Sequence, residues 1–404
     1  MTDAALGSTA TVSPGLLPGT VSAMRLSATV RRLAGDEFTG RRVGTVGGRA
    51  AGAFLAEELR NVGAQVTVEE FRVGYLRDVY ATPTFVWTDE AGQVRVLEHR
   101  RDFAEHLTSA DLPAPRDGAL VTAGAADWAV RWVLADGLDP PTTARAVEQG
   151  AAGLLVPRGT DAAGWMPKML AGRPAVAVPV VSLRTDLHQT MTASLGQVTA
   201  SVPLAVLAAT GTNIHGQLTR AAPGGVSVVL TAHYDGVGDD PGRRLPAAAD
   251  NASGCAVILE AARFLVPDLP VGVGLAVAFL DAEETGAQGS AHHAPTLAAG
   301  TFVINVDGAA ELADAAAVEA GGPANALLAA LDHAGREVGV PLRAAAMPSD
   351  NRRYAAAGLP SVGIGMGMPG YQTPAETVDR VQPETLTAAT DLVTTTVRRL
   401  FAPR

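Results

Sequence analysis

Apolar positions in this chain follow two rhythms. Between Val226 and Gly308 they gather into short unbroken runs, at 226–231, 272–280 and 302–306, with a helix-like segment Ala252–Phe264 after the first. Runs of this kind predict parallel strands buried on both faces. Elsewhere the spacing is amphipathic. Val21, Met24, Leu26, Val30 and Leu33 form one stripe within 20–38; Ala51, Phe54, Leu55 and Leu59 form another, which Gly63 stops. Val66–Phe71 alternates as a strand does. Towards the end, Ala324–Ala334 predicts a helix and Ser349–Met366 a short helix feeding a strand. Glu384–Phe401 predicts a closing helix behind Pro383, with Leu386, Ala389, Leu392, Val393, Val397 and Leu400 on one face.

The character changes near residue 74. From 75 to 209 there are strand-like pieces, Ala119–Val121, Ala152–Pro157 and Ala175–Leu183, but no cluster of His, Asp and Glu. The expectation is an α/β fold: a three-layer α/β/α sandwich on a mixed, mostly parallel sheet, formed by 20–74 and 210–404. A β-rich unit of residues 75–209 is inserted into it. Residues 1–19, rich in Ser, Thr, Gly and Pro, are expected to be unordered.

Charge and cysteine content narrow the function classes. The formal net charge of −10 argues against nucleic acid and anionic membranes as partners. No stretch reaches the ~18 apolar residues of a membrane-crossing helix. The first residues lack a basic region followed by an apolar core, so the expected location is cytoplasmic. The single cysteine, Cys255, forms no internal disulfide and is expected to pack as a small apolar side chain.

The chemistry sits where the apolar runs end. His233 and Asp235 follow the first run, Glu283 and Glu284 the second, and Asp307 the third; Asp250 precedes the helix-like segment. In open parallel sheets ligands gather at the strands' carboxyl ends, so these groups share one rim. A metal cage needs imidazole and carboxylate ligands from separate elements. Asp235, two residues beyond His233, is placed to accept the imidazole's other N–H and fix its tautomer. Asp250 is placed to bridge two cations near a helix N-terminus. Adjacent residues leaving a strand point different ways, so one of Glu283 and Glu284 can ligate while the other serves as general base. Singly, each of these residues reads as a cap or an ion-pair partner; in this order and placement they read as a site. His99, His106 and His188 are expected to be surface or hydrogen-bonded side chains, and His215 and His333 structural ones. The glycine-rich GIGMGMPG precedes a turn and not a helix, which excludes a dinucleotide loop.

The series HYD, ADNASG, AEE with GS following, and NVDG resembles that of the co-catalytic di-zinc aminopeptidases, the family that includes bacterial leucyl aminopeptidases, glutamate carboxypeptidase relatives and glutaminyl cyclases. EQGAAGLLVPRG and PAVAVPVVSL resemble the protease-associated domain often inserted in such enzymes. The resemblance implies one or two Zn2+ ions. His233 and Asp307 would hold the first, Glu284 the second, and Asp250 would bridge them. Glu283 would be the general base and Asp235 the partner of His233. The second ion's last ligand in the family is a histidine in a Tyr-His-Thr-Pro-like turn; here the turn is GYQTPAETVDR and the position is Gln372. A neutral amide oxygen is a poorer zinc donor than imidazole. The family's Ser-Asp-His segment is also changed, to Ser349, Asp350 and Asn351. His292 and His293 lie about 12 Å along a helix from Glu284 and are not expected to substitute. The implied function is a metal-dependent aminopeptidase-like amide hydrolase acting on a peptide or peptide-like small molecule. Two alternatives remain on the same scaffold: intramolecular cyclisation or acyl transfer, and a binding protein without turnover. The sequence does not give the oligomeric state.

Overall fold

The computed structural model describes residues 21–171 and 175–402; the 1–19 segment lies outside the described residues. The larger sheet has eight strands: β1 (Gln65–Val79), β2 (Leu204–Thr219), β3 (Ser227–His233), β4 (Gly274–Leu280), β5 (Phe302–Val306), β6 (Ala316–Gly321), β7 (Leu342–Ala344) and β8 (Ser361–Gly365). Their order is β1-β2-β4-β3-β5-β8-β6-β7. The central strands β4-β3-β5-β8 run parallel, while β1–β2, β2–β4 and β6–β8 pair antiparallel. β3 and β5 are buried on both faces, as their continuous apolar runs require.

The two faces are covered unequally. Helices Ala23–Leu33, Val46–Asn61, Gly254–Leu265, Asn325–Val338 and Pro383–Leu400 share one large core with Leu230, Val277, Ile304 and Ile364. Two short helices, Gln288–His293 and Asn351–Ala356, cover the opposite face, where Tyr354 and Ala294 pack on Val229, Ala278 and Val303. Cys255 is fully buried; its Sγ donates to the carbonyl of His233 at 3.1 Å. Burial pushes its thiol up to about 12, so it packs and does not react.

A second eight-stranded sheet comes from the chain between Phe85 and Val202, and its core includes Trp87, Trp132, Leu155 and Val181. The strands that lead to and from it stay paired well past residues 75 and 209, from Gln65–Gln217 to Val79–Leu204. The change of composition near residue 74 therefore falls inside a ladder and does not end a strand. The apolar piece expected at Ala175–Leu183 becomes a strand only at Val180–Arg184, since Pro179 has no N–H to give to a ladder. Among the described residues no helix is long and apolar enough to cross a membrane.

Candidate metal centre

Each central parallel strand delivers one piece of the site at its carboxyl end. His233 is the last residue of β3; Glu283 and Glu284 follow β4; Asp307 follows β5; the turn carrying Gln372 follows β8. Asp250 arrives from the turn before the helix Gly254–Leu265. His233 Nε2 lies 3.0 Å from Asp250 Oδ1 and 3.2 Å from Asp307 Oδ1, and these three residues offer ligand atoms within 4.8 Å of one another. All three are buried. One imidazole nitrogen and two carboxylate oxygens converging in this way fit a zinc-type ion.

The electrostatics agree with that reading. Burial lowers the His233 imidazole, but the charge of Asp307 and hydrogen bonds with Asp235, Asp250 and Asp307 outweigh it and hold the group well above its usual range. Burial raises Asp250, while Asp307 is lowered because the His233 charge overcomes its burial. The two carboxylates thus favour a positive charge between them.

Asp235 does more than its spacing foretold. Its carbonyl oxygen lies 3.2 Å from His233 Nδ1 and its Oδ1 lies 3.5 Å from the same nitrogen. Its carboxylate also accepts the backbone N–H of Glu283 at 3.1 Å and of Glu284 at 3.2 Å. One side chain thus orients both the histidine and the loop bearing the two glutamates. Burial raises the Glu283 carboxyl well above the usual range, and Asp307, Asp350 and Asp250 add to that while His233 opposes it. Asp350, fully buried, is raised to about 7, first by burial.

Gln372 and Glu284 meet directly: the Gln372 amide Nε2 donates to Glu284 Oε2. Glu284 Oε1 and Gln372 Oε1 are buried and accept no hydrogen bond. Gln372 itself has φ +53°, the left-handed region in which non-glycine residues are uncommon.

Three residues that hold the site had no distinguishing mark in the sequence. Glu376, 1% exposed, accepts the N–H groups of Ala249 (3.0 Å) and Asp250 (2.6 Å) through Oε1 and that of Gln372 (2.7 Å) through Oε2. Arg41, fully buried, donates to the carbonyls of Tyr234, Leu33, Pro246 and Ala247. Lys168 gives its backbone N–H to the Gln372 carbonyl at 2.9 Å, and its Nζ lies 2.9 Å from Asp78. Each acts on backbone or charge far away in the chain. Glu376→Gln turns one acceptor oxygen into a donor facing an N–H, and zinc affinity is expected to fall about 10- to 100-fold. Competition with a chelator measures it; an unchanged affinity would mean that Glu376 does not support the site.

His292 and His293 belong elsewhere. His292 Nε2 pairs with Glu69 at 3.1 Å, and His293 Nδ1 bonds the Tyr354 hydroxyl at 2.8 Å. His99 pairs with Glu105 at 2.9 Å, and His215 with Glu69 at 3.2 Å. Burial, with His215 and His292 nearby, pushes His293 down to about 3 from 6.5. Its folded-state pKa is depressed. Between pH 6.5 and 3 the unfolded chain therefore takes up a proton that the folded chain refuses, and stability falls as pH falls, by up to about 1.4 kcal/mol per unit. Above pH 6.5 the effect vanishes. In His293→Gln this slope should be missing, so the gap between the urea midpoints of wild type and variant should change from pH 7 to pH 5. A constant gap would contradict the assignment.

The layered α/β scaffold thus carries, at its strand ends, a His-Asp-Asp group able to hold a cation. Residues 213–397 match the model of peptidase family M28. No curated protein matches the chain by sequence. Among solved structures, a zinc aminopeptidase from Bacillus subtilis is 22% identical, with a TM-score of 0.72 over 95% of this chain and 96% of that one. An aminopeptidase from Aneurinibacillus sp. strain AM-1 is 20% identical, with a TM-score of 0.72 over 95% of each chain. A glutaminyl cyclase from Fimbriiglobus ruber is 15% identical, with a TM-score of 0.53 over 97% of this chain and 99% of that one. At these identities the likeness is one of fold.

Proposed function

We propose that this protein is a metal-dependent aminopeptidase-type amide hydrolase that holds one zinc ion between His233, Asp250 and Asp307. The convergence of His233 Nε2 with the two carboxylates, at 3.0 and 3.2 Å, carries the reading. When bound, the ion supplies Lewis acidity: it acidifies water and stabilises negative charge on a carbonyl oxygen. Glu283 takes the proton of the attacking water on its carboxylate and returns it to the leaving amine nitrogen as the C–N bond breaks. A base that cycles a proton works best near neutral pH, and the upward push of burial on Glu283 works in that direction. Asp235 holds Glu283 in place through its backbone N–H. The substrate is a peptide or peptide-like amide with a free amino end, as the names of the two aminopeptidase neighbours suggest. The inserted residues 75–209 are read as a protease-associated-type unit whose Lys168 segment steadies the Gln372 turn.

A panel of aminoacyl chromogenic amides tests this. Hydrolysis should appear with zinc, stop with a chelator and return when zinc is restored; a zinc-loaded protein that cleaves none would overturn the hydrolytic reading. The name of the glutaminyl cyclase neighbour suggests a second reading, in which an amine within the substrate attacks in place of water. Product mass separates the two, because cyclisation gains no water.

A further inference from the structure

The metal position that the family would place at Asp250, Glu284 and Gln372 does not fit a second zinc ion. It offers no imidazole, and one Glu284 oxygen is already taken by the Gln372 amide N–H. Its protein donors are all oxygen. A hard divalent cation such as Mg2+ or Ca2+ takes six or more oxygen ligands, waters among them, and is the competing occupant that a metal count separates. What the pair does present is acceptors. Glu284 Oε1 and Gln372 Oε1 are buried, accept no hydrogen bond, and belong to side chains 9% and 2% exposed. Asp250 is held alongside, since one Glu376 carboxylate grips the backbone N–H of both Asp250 and Gln372. Orphaned buried acceptors are costly unless a ligand satisfies them.

We propose that Glu284, Gln372 and Asp250 form a cradle for the primary ammonium group at the substrate's amino end, in place of a second metal ion. An ammonium carries three donors and no acceptor, one for each of the three side chains. Its charge compensates the two carboxylates, and an ammonium is a compact point charge. Gln372 has a distinct part in this. Its amide N–H ties Glu284 down, leaving its own carbonyl oxygen and the other Glu284 oxygen for the amine. The inference rests on the aminopeptidase reading and names what makes it an exopeptidase: recognition of a free, charged amino terminus beside the single ion.

The test uses the full chain loaded with zinc. Unprotected amino acids with apolar, acidic and basic side chains are titrated calorimetrically, each against its N-acetylated form. Hydrogen bonds to a charged group are worth about 1.5–3 kcal/mol, so acetylation should weaken the binding members by about 10- to 100-fold. In Gln372→Leu and Glu284→Gln that preference should disappear while one zinc per chain remains. Gln372→His, which supplies the missing imidazole, should raise the count to two zinc ions per chain by elemental analysis and lower the preference for free amines. Equal binding of acetylated and free forms, binding of no free form, a second divalent ion in wild type, or an unchanged zinc count in Gln372→His would each overturn the cradle. Failure of the hydrolase reading looks different: amine-selective binding would persist with no turnover of any aminoacyl amide. Turnover indifferent to N-acetylation would leave hydrolysis standing and remove the cradle.

Discussion

Glu283→Gln is expected to lower kcat on a cleaved aminoacyl amide by about 10²- to 10⁴-fold, the usual worth of a positioned general base. The amide keeps the size of the carboxyl but cannot take a proton from water. KM and zinc content should stay close to wild type, because Glu283 is not one of the three residues that converge on the cation site. Stability should hold or rise. The wild-type carboxylate is buried against Asp307, Asp350 and Asp250, and removing its charge relieves that repulsion. Active-site groups commonly cost stability in this way. A variant with unchanged kcat would remove Glu283 from the mechanism; one that lost zinc together with activity would make it a ligand.

The second large effect concerns His233. In His233→Ala, zinc affinity should fall by well over 100-fold, beyond the loss seen when only a supporting partner is removed. The side chain is 1% exposed and sits between Asp250 and Asp307. Its loss leaves two buried carboxylates facing each other without a compensating charge, a change that typically costs about 3–5 kcal/mol. Urea unfolding of the metal-free variant measures this. A variant that unfolds like wild type and still binds zinc tightly would place the ion elsewhere.

Much of this site was legible in the chain because of what parallel strands demand. β3 and β5 are buried on both faces, so their apolar runs are unbroken and the first ionisable residue after each marks the sheet's rim. His233 and Asp307 stand out for that reason, and Glu283 and Glu284 do so behind β4. What could not be read is the scaffolding that acts on backbone groups far off in sequence. Glu376 serves amides 126 and 127 residues away, and Arg41 a carbonyl 206 residues away. Such contacts leave no periodicity. Asp235 shows the intermediate case. Its two-residue spacing placed it beside His233, but its grip on the Glu283–Glu284 amides depends on β3 and β4 being neighbours. The reach of β1 and β2 past residues 75 and 209 was hidden too, because a ladder continues through a change in composition without any turn residue to announce it.

Anomalous X-ray scattering at the zinc edge, from crystals of the zinc-loaded protein, bears most directly on the metal centre. The expected result is one peak per chain, about 2.0–2.2 Å from His233 Nε2 and from a carboxylate oxygen of Asp250 and of Asp307. A folded, zinc-saturated protein with no peak between those three residues would contradict it.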